Sequence, residues 1–323
     1  MTNPQIVVRL ARVDDAGRMH EVTQLAFAAR PPLDPPAEAL SDTVDDVVAA
    51  LQPPNFGVVA EVDGQLIGSL LVRLDSSVSG VHDIATVRRV GVLPEYRHLG
   101  AADAMVRVTL RGLADAGVSR ARLLARSELP ATVKWWRVRG FLVDHDAPHG
   151  YIMSVHLPVP LVVPTAGDMR RLGVALAHRL RAGDLIIASG DLGAGKTVLA
   201  QGIGLGLGVA GPVISPTFVL ARHHHSETGP GLVHVDAYRL GSPAELEDID
   251  VETSAQDNVT FIEWGAGLAE GLSDQRLDVH IERAPDDVRR VYLTPIGRRW
   301  REVEWDDVAS DYAAEAGGGE AGE

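Results

Sequence analysis

Eight consecutive residues carry the strongest chemical signal in the chain. Gly190-Asp191-Leu192-Gly193-Ala194-Gly195-Lys196-Thr197 fits G-x-x-x-x-G-K-T, with the apolar run LIIASG before it and the helix-forming run KTVLAQGIGLGLG overlapping its end. In such a turn successive backbone N–H groups face inward and hold phosphate oxygens, aided by the positive end of the following helix. Lys196 adds a mobile cation for the outer phosphates, and Thr197 offers its hydroxyl to Mg²⁺. Lys196 is the only lysine after Lys134 in a chain that otherwise uses arginine, so composition does not account for it. The competing reading, a chance glycine turn at a helix start, leaves that lysine unexplained.

Two acids close later apolar runs and so could face the same phosphates. Asp236 ends LVHVD, the Walker B geometry in which an acid orients Mg²⁺ or its waters. Glu263 ends VTFIE and would join the metal shell or polarise the attacking water. The plainer alternative for both is a solvated acid at a strand end. The run His223-His224-His225 is a weaker candidate, because consecutive strand residues face opposite sides and three such rings cannot converge on one metal.

A second turn also favours an anion. In VRRVGVLPEYRHLGAADAMVRVTL a strand passes through a short basic segment into a helix, and Arg97, Gly100 and Ala102 fit R-x-x-G-x-A. Small residues there let helix N-terminal amides approach a pyrophosphate. An ordinary tight β-α turn is the competing reading. His82 and Asp83, just ahead of that strand, are possible bases, with solvated turn residues as the alternative; Trp135 and Trp136 read as core aromatics.

These candidates need elements to hold them. Asp14 to Ala29 and a stretch ending near Leu51 have helical patterning, followed by a hairpin, FGVVAEVDGQLIGSLLVRLD, turned at Asp-Gly. ATVRRVGV is a strand, a helix spans about 99–116, VSRARLLAR is a strand, TVKWWRVRG a helix, and FLVDHD and YIMSVHL are strands. Three prolines in LPVPLVVPT break the chain at 157–165. Beyond it Thr165 and Asp168 have capping-box spacing ahead of a helix, then strand and helix alternate, with strands near 185–190, 217–223, 231–236, 258–263, 276–283 and 288–294. The expected class is α/β: an N-terminal α+β domain with a mixed, mostly antiparallel sheet over 1–157, a linker over 158–164, a P-loop NTPase α/β domain over 165–308, and an acidic disordered tail over 309–323.

Length and composition agree with two soluble domains. The 323 residues are 46% hydrophobic and 23% charged, and there is no cysteine, which excludes disulfides, thiolate metal sites and a Cys nucleophile. No apolar run approaches bilayer length and the first residues lack a secretory pattern, so a cytoplasmic protein without membrane contact is expected. The net charge of −14 divides unevenly: residues 1–160 hold 16 basic and 18 acidic side chains, and the remainder 14 and 26. That balance argues against direct, high-affinity binding to a phosphate backbone, which relies on clustered Lys and Arg.

The strings GDLGAGKT, SPTF at 215–218, HVDAYRL at 234–240 and IEW at 262–264, in that order, resemble TsaE, the P-loop ATPase family of bacterial tRNA threonylcarbamoyladenosine synthesis. The resemblance spans about 161–300. It implies ATP hydrolysis with Mg²⁺ in a complex with TsaD and TsaB, supporting modification of the adenosine beside the anticodon. By position it implies that Leu192, Gly193, Ala194, Gly195, Lys196 and Thr197 hold phosphates, that Thr197 and Glu263 belong to the metal site, that Asp236 supports metal and water, and that Trp264 lies by the nucleotide. Ser215 and Thr217 would sit in a mobile segment. Val198 replaces the family's usual second Thr, and Asp250 lies where glycine is usual. A small-molecule kinase using the same loop, with an inactive coenzyme-A-binding module ahead of it, is the alternative.

Residues 6–157, with the R-x-x-G-x-A turn and the later WWRVRGF, resemble GNAT N-acetyltransferases. The resemblance implies acetyl-CoA against the strand ending at Val92, its pyrophosphate on Arg97, His98, Leu99, Gly100, Ala101 and Ala102. The acceptor amine stays unidentified. Where this family often has a Tyr that protonates the leaving thiolate, this chain has Trp136, whose indole cannot serve as that acid.

Overall fold

The computed structural model describes residues 5–75, 84–216, 219–247, 256–284, 286–301 and 303–317. Two compact units result: residues up to 136 with 141–157, and 137–140 with everything from 158. Each has its own seven-stranded sheet.

The first unit contains β1 (Val7–Leu10), α1 (Ala16–Ala28), α2 (Val44–Ala50), β2 (Phe56–Val62), β3 (Gln65–Asp75), β4 (Ile84–Val92), α3 (Ala101–Asp115), β5 (Arg120–Arg126), α4 (Pro130–Val138), β6 (Leu142–Ala147) and β7 (Gly150–His156). Their order across the sheet is β1-β2-β3-β4-β5-β7-β6. Asp63 and Gly64 both take positive φ, 51° and 78°, as the turn between β2 and β3 requires. Only β4 and β5 run parallel, and they pair over just Ile84–Thr86 and Arg120–Arg122. Past that point they diverge, β4 carrying on to Val92 and β5 turning its hydrogen bonds to β7. One face packs Met105, Val106, Leu110 and Leu113 of α3 against Ile67, Leu70 and Val72; the other packs Met19 and Val22 of α1 against Val59, Leu66 and Leu71.

The second unit contains β8 (Val159–Val163), α5 (Ala166–Ala177), β9 (Leu185–Gly190), α6 (Lys196–Gly206), β10 (Ala221–His224), β11 (Gly231–Asp236), α7 (Pro243–Glu247), β12 (Asn258–Glu263), β13 (Arg276–Arg283), β14 (Arg289–Ile296), α8 (Arg298–Arg301) and α9 (Trp305–Gly317). The order is β10-β11-β12-β9-β13-β14-β8, with β11, β12, β9 and β13 mutually parallel. Ile186 and Ala188 of β9 face the α5 and α6 side while Leu185 and Ile187 face the other, which is why LIIASG lacks polar alternation. The Thr165–Asp168 capping box forms, with Thr165 Oγ1 accepting from the Asp168 N–H at 3.1 Å. Gly173 and Gly202 let α5 and α6 touch backbone to backbone: a Cβ on Gly202 would collide with the Arg170 carbonyl.

Two expectations need correction. Residues 159–163, read as part of a linker, form edge strand β8, antiparallel to β14, with Pro160 opposite Tyr292. Proline is tolerated there because only one side of an edge strand must donate hydrogen bonds. Residues 309–317, read as the start of a disordered tail, belong to α9. Trp305, Val308 and Tyr312 recur at helical spacing; Val308 is fully buried, Trp305 stacks on Trp300, and the Tyr312 hydroxyl donates to the Val162 carbonyl at 3.0 Å. Acid-rich composition hid that stripe. Among the described residues no helix is long and apolar enough to cross a membrane.

Candidate functional site

The glycine-rich turn occupies the end of β9 and the start of α6. Gly190, Gly193 and Gly195 have φ of 140°, 78° and 114°, conformations closed to most side chains, and a Cβ on Gly190 would strike the Ile281 carbonyl. Ala194 is buried, whereas Leu192 projects from the turn, 86% exposed. Lys196 is only 4% exposed. Its amine donates to the carbonyls of Gly190 and Asp191 at 2.8 and 3.0 Å and lies 3.6 Å from the centre of the Trp264 ring. Burial lowers its pKa, while Glu263, Asp236 and Asp191 pull the other way.

Parallel pairing of β11 with β12 sets Asp236 directly beside Glu263. Both are buried, 5% and 3% exposed, so neither is a solvated strand-end acid. Thr197 Oγ1 donates to Glu263 Oε1 at 2.8 Å. Asp236 instead accepts from Ser215 Oγ at 3.1 Å and the Tyr238 amide at 3.0 Å. Glu263 closes β12, which adjoins the loop strand β9, whereas Asp236 closes β11 one strand further out, and the hydrogen bond to the loop helix runs to Glu263. Trp264 follows with φ of 62°, its amide held by the Ala188 carbonyl and its ring edge-on to Tyr238 at 5.1 Å.

The residues present suit a magnesium-bound nucleoside triphosphate. The positive φ of its glycines keeps side chains off the turn where backbone must approach a ligand, a buried cation stands at its mouth, and the nearby ligating groups are a hydroxyl and two carboxylates. Mg²⁺ prefers such hard oxygen donors and is usually held by one or two carboxylates together with substrate phosphates. Among the described residues no group of three or more His, Asp or Glu is placed to hold a metal ion. The three histidines alternate as expected, with His224 buried between exposed His223 and His225. Thr217 and Asp250 lie outside the described residues.

Sequence reasoning passed over His234. It is fully buried, and its Nε2 lies 2.8 Å from the same Glu263 oxygen that Thr197 uses. The signal was available: alternation in LVHVD puts His234 on the same strand face as Asp236.

In the first unit, β4 ends at buried Val92, a 3₁₀ turn spans Pro94–Leu99, and Gly100, at φ of 79°, leads into α3. Nothing lies within 4 Å of where a Gly100 Cβ would be, so the approach to the helix amides is open. Ala101 is buried, while Arg97, His98 and Gly100 face solvent. The Arg97 guanidinium turns away to donate to the Ala26 carbonyl at 3.0 Å, leaving backbone N–H groups rather than this side chain as the anion-facing donors. Arg30 lies near Arg97, and burial, with Arg97 adding, pushes its pKa down to about 10. Trp136 is buried, edge-on to Trp135 and Phe141 at 4.7 and 4.9 Å, as a packing residue should be. His82 and Asp83 lie outside the described residues.

Fold and site define a P-loop nucleotide-binding domain that follows a GNAT-type domain. Residues 163–291 match the family described as threonylcarbamoyl adenosine biosynthesis protein TsaE, and residues 19–141 the acetyltransferase (GNAT) family. The chain is 55% identical over 138 residues to the tRNA threonylcarbamoyladenosine biosynthesis protein TsaE of Streptomyces coelicolor, covering 41% of this chain and 93% of that protein. With the Bacillus subtilis protein of the same name it shares 37% identity over 118 residues, 36% of this chain and 73% of the relative. Among solved structures, the PaiA N-acetyltransferase of Thermoplasma acidophilum in complex with coenzyme A is 16% identical, covering 46% of this chain and 98% of that one at a TM-score of 0.41. The chain belongs to the TsaE family through its second domain, which it joins to an N-terminal GNAT acetyltransferase domain.

Proposed function

We propose that this protein is a cytoplasmic, Mg²⁺-dependent ATPase that supports threonylcarbamoyladenosine modification of tRNA next to the anticodon, working with TsaD and TsaB and meeting tRNA only through that complex. The observation that carries the reading is the Thr197–Glu263 hydrogen bond at the mouth of the glycine-rich turn, which ties the loop helix to the acid on the adjoining strand. Backbone N–H groups of Leu192 to Thr197 hold the phosphates. Lys196 exchanges its two carbonyl partners for phosphate oxygen, which offsets the charge on the leaving group. Mg²⁺, held by Thr197 and Glu263 with support from Asp236, neutralises phosphate charge when bound. The two carboxylates orient the attacking water, and Trp264 flanks the nucleotide.

Hydrolysis by the whole chain, with and without TsaD and TsaB, tests this. Weak activity alone, stimulation by the two proteins and loss in Lys196→Ala are expected; undiminished hydrolysis by that variant overturns the assignment. The kinase alternative is disfavoured by the TsaE relatives, and a phosphorylated metabolite formed without response to TsaD and TsaB would revive it.

The first domain is proposed to bind acetyl-CoA in the opening between β4 and β5, against Val92, with its pyrophosphate at Arg97 to Ala102, and to acetylate an amine. With Trp136 buried, proton delivery to the leaving thiolate falls to water or another group. Calorimetry with acetyl-CoA and thiol release with an amine panel test binding and turnover separately.

A further inference from the structure

His234 is a polar ring in an apolar layer. It lies on β11, fully buried, its ring 5.6 Å from that of Phe261 and on the face that buries Leu232, Val259 and Phe261. Burying an imidazole costs free energy unless it is hydrogen-bonded, and at a central parallel strand an aliphatic side chain would fill the layer without that cost. One bond accounts for it: Nε2 lies 2.8 Å from Glu263 Oε1. An ionised carboxylate only accepts, so the ring nitrogen facing Glu263 carries a proton. Among the described residues Nδ1 has no protein partner, so the ring's hydrogen bonding is directed at Glu263.

The same Oε1 receives the Thr197 hydroxyl at 2.8 Å. Two donors from two elements, β11 and α6, therefore converge on one oxygen of one carboxylate. The terminal torsion of Glu is broad, so a single donor from the nucleotide loop would not fix the plane of the group. We propose that His234 is a positioning residue: it pins Glu263 from the protein interior, keeping the carboxylate aimed at the nucleotide site while Thr197 engages its ligand. This rests on Glu263 serving ATP hydrolysis as proposed above. The ring's hydrogen bond runs to Glu263 and not to the glycine-rich turn, so it acts through the acid and not on the reacting atoms.

The experiment uses the whole chain with TsaD and TsaB and compares His234→Leu, His234→Gln, Glu263→Gln and the Leu/Gln double variant. His234→Leu should lower kcat about tenfold and raise the Mg²⁺ concentration for half-maximal rate, with ATP affinity, read from a fluorescent analogue, little changed. His234→Gln, which can again present an N–H toward Glu263, should recover most of the rate. In the Glu263→Gln background, His234→Leu should subtract nothing further, because the group it positions is already gone. Nitrogen NMR of the ligand-free wild type should show a proton on Nε2. Wild-type rates in both His234 variants, additive losses in the double variant, or an Nε2 without a proton would each overturn the proposal. If the wild type hydrolyses no ATP, the functional reading fails instead, while the NMR result still decides whether the ring donates to Glu263.

Discussion

Both domains present a helix N-terminus behind a glycine at positive φ, Gly195 at 114° and Gly100 at 79°, yet the two turns differ in where their charge sits. Around Gly195 three ionisable groups are buried: Lys196, Asp236 and Glu263 are each at most 5% exposed. Around Gly100 the cationic side chains face solvent, and Arg97 is tied to a carbonyl of α1. Buried charge is costly to hold and strong when aimed, which suits a site where a phosphoanhydride bond breaks. A turn that only anchors a cofactor needs backbone donors and open space. On the functions proposed above, one motif type would serve two purposes, told apart by what surrounds it.

The sharpest way to break this contrast is Lys196→Ala, which should cut ATP hydrolysis at least 100-fold while acetyl-CoA binding by calorimetry stays unchanged. Gly100→Val places a β-branched residue at positive φ and should weaken acetyl-CoA binding about tenfold or more, with ATP hydrolysis intact. If either variant damaged both activities, the turns would not be the separate anchors described.

A smaller effect concerns the support of the loop helix rather than the loop. Thr165→Ala removes the cap of α5, on which α6 rests, and should cost about 1 kcal/mol by denaturant titration. Burial alone would raise the Asp168 pKa, but Thr165 and Arg171 outweigh it and hold the carboxylate below its usual value. A carboxyl depressed in the folded state contributes stability that is complete above its unfolded pKa of about 4 and is lost as pH falls through the lower folded value. The gap between wild type and Thr165→Ala should therefore be constant near neutrality and shrink below about pH 4. Smallest of all, Trp136→Tyr should leave thiol release from acetyl-CoA within about twofold of wild type, because a phenol packed against Phe141 has no route to a thiolate. A large gain would show that this position reaches the thioester.

Much of this was legible in the chain itself. Periodicity located most of the strands and helices, and the motif fixed the loop, because glycines at that spacing followed by a lysine admit few other readings. What periodicity could not supply was strand order. The two apolar runs ending in acid look alike in the chain, and only the hydrogen bonding between parallel strands decides that the one ending at Glu263 adjoins β9. His234 escaped notice because a lone His in an apolar run is ordinarily a core residue; its meaning depends on a partner 29 positions later. Composition also misled at the C-terminus, where many acids outweighed three well-spaced apolar residues.

That last helix has a practical meaning. By packing Val308 inward beside Leu172 and Leu176, α9 covers the apolar flank of α5. A protein trimmed just ahead of Trp305 would keep Lys196, Asp236 and Glu263 and yet bare that flank, so its first failing would be clumping in the tube rather than slow turnover.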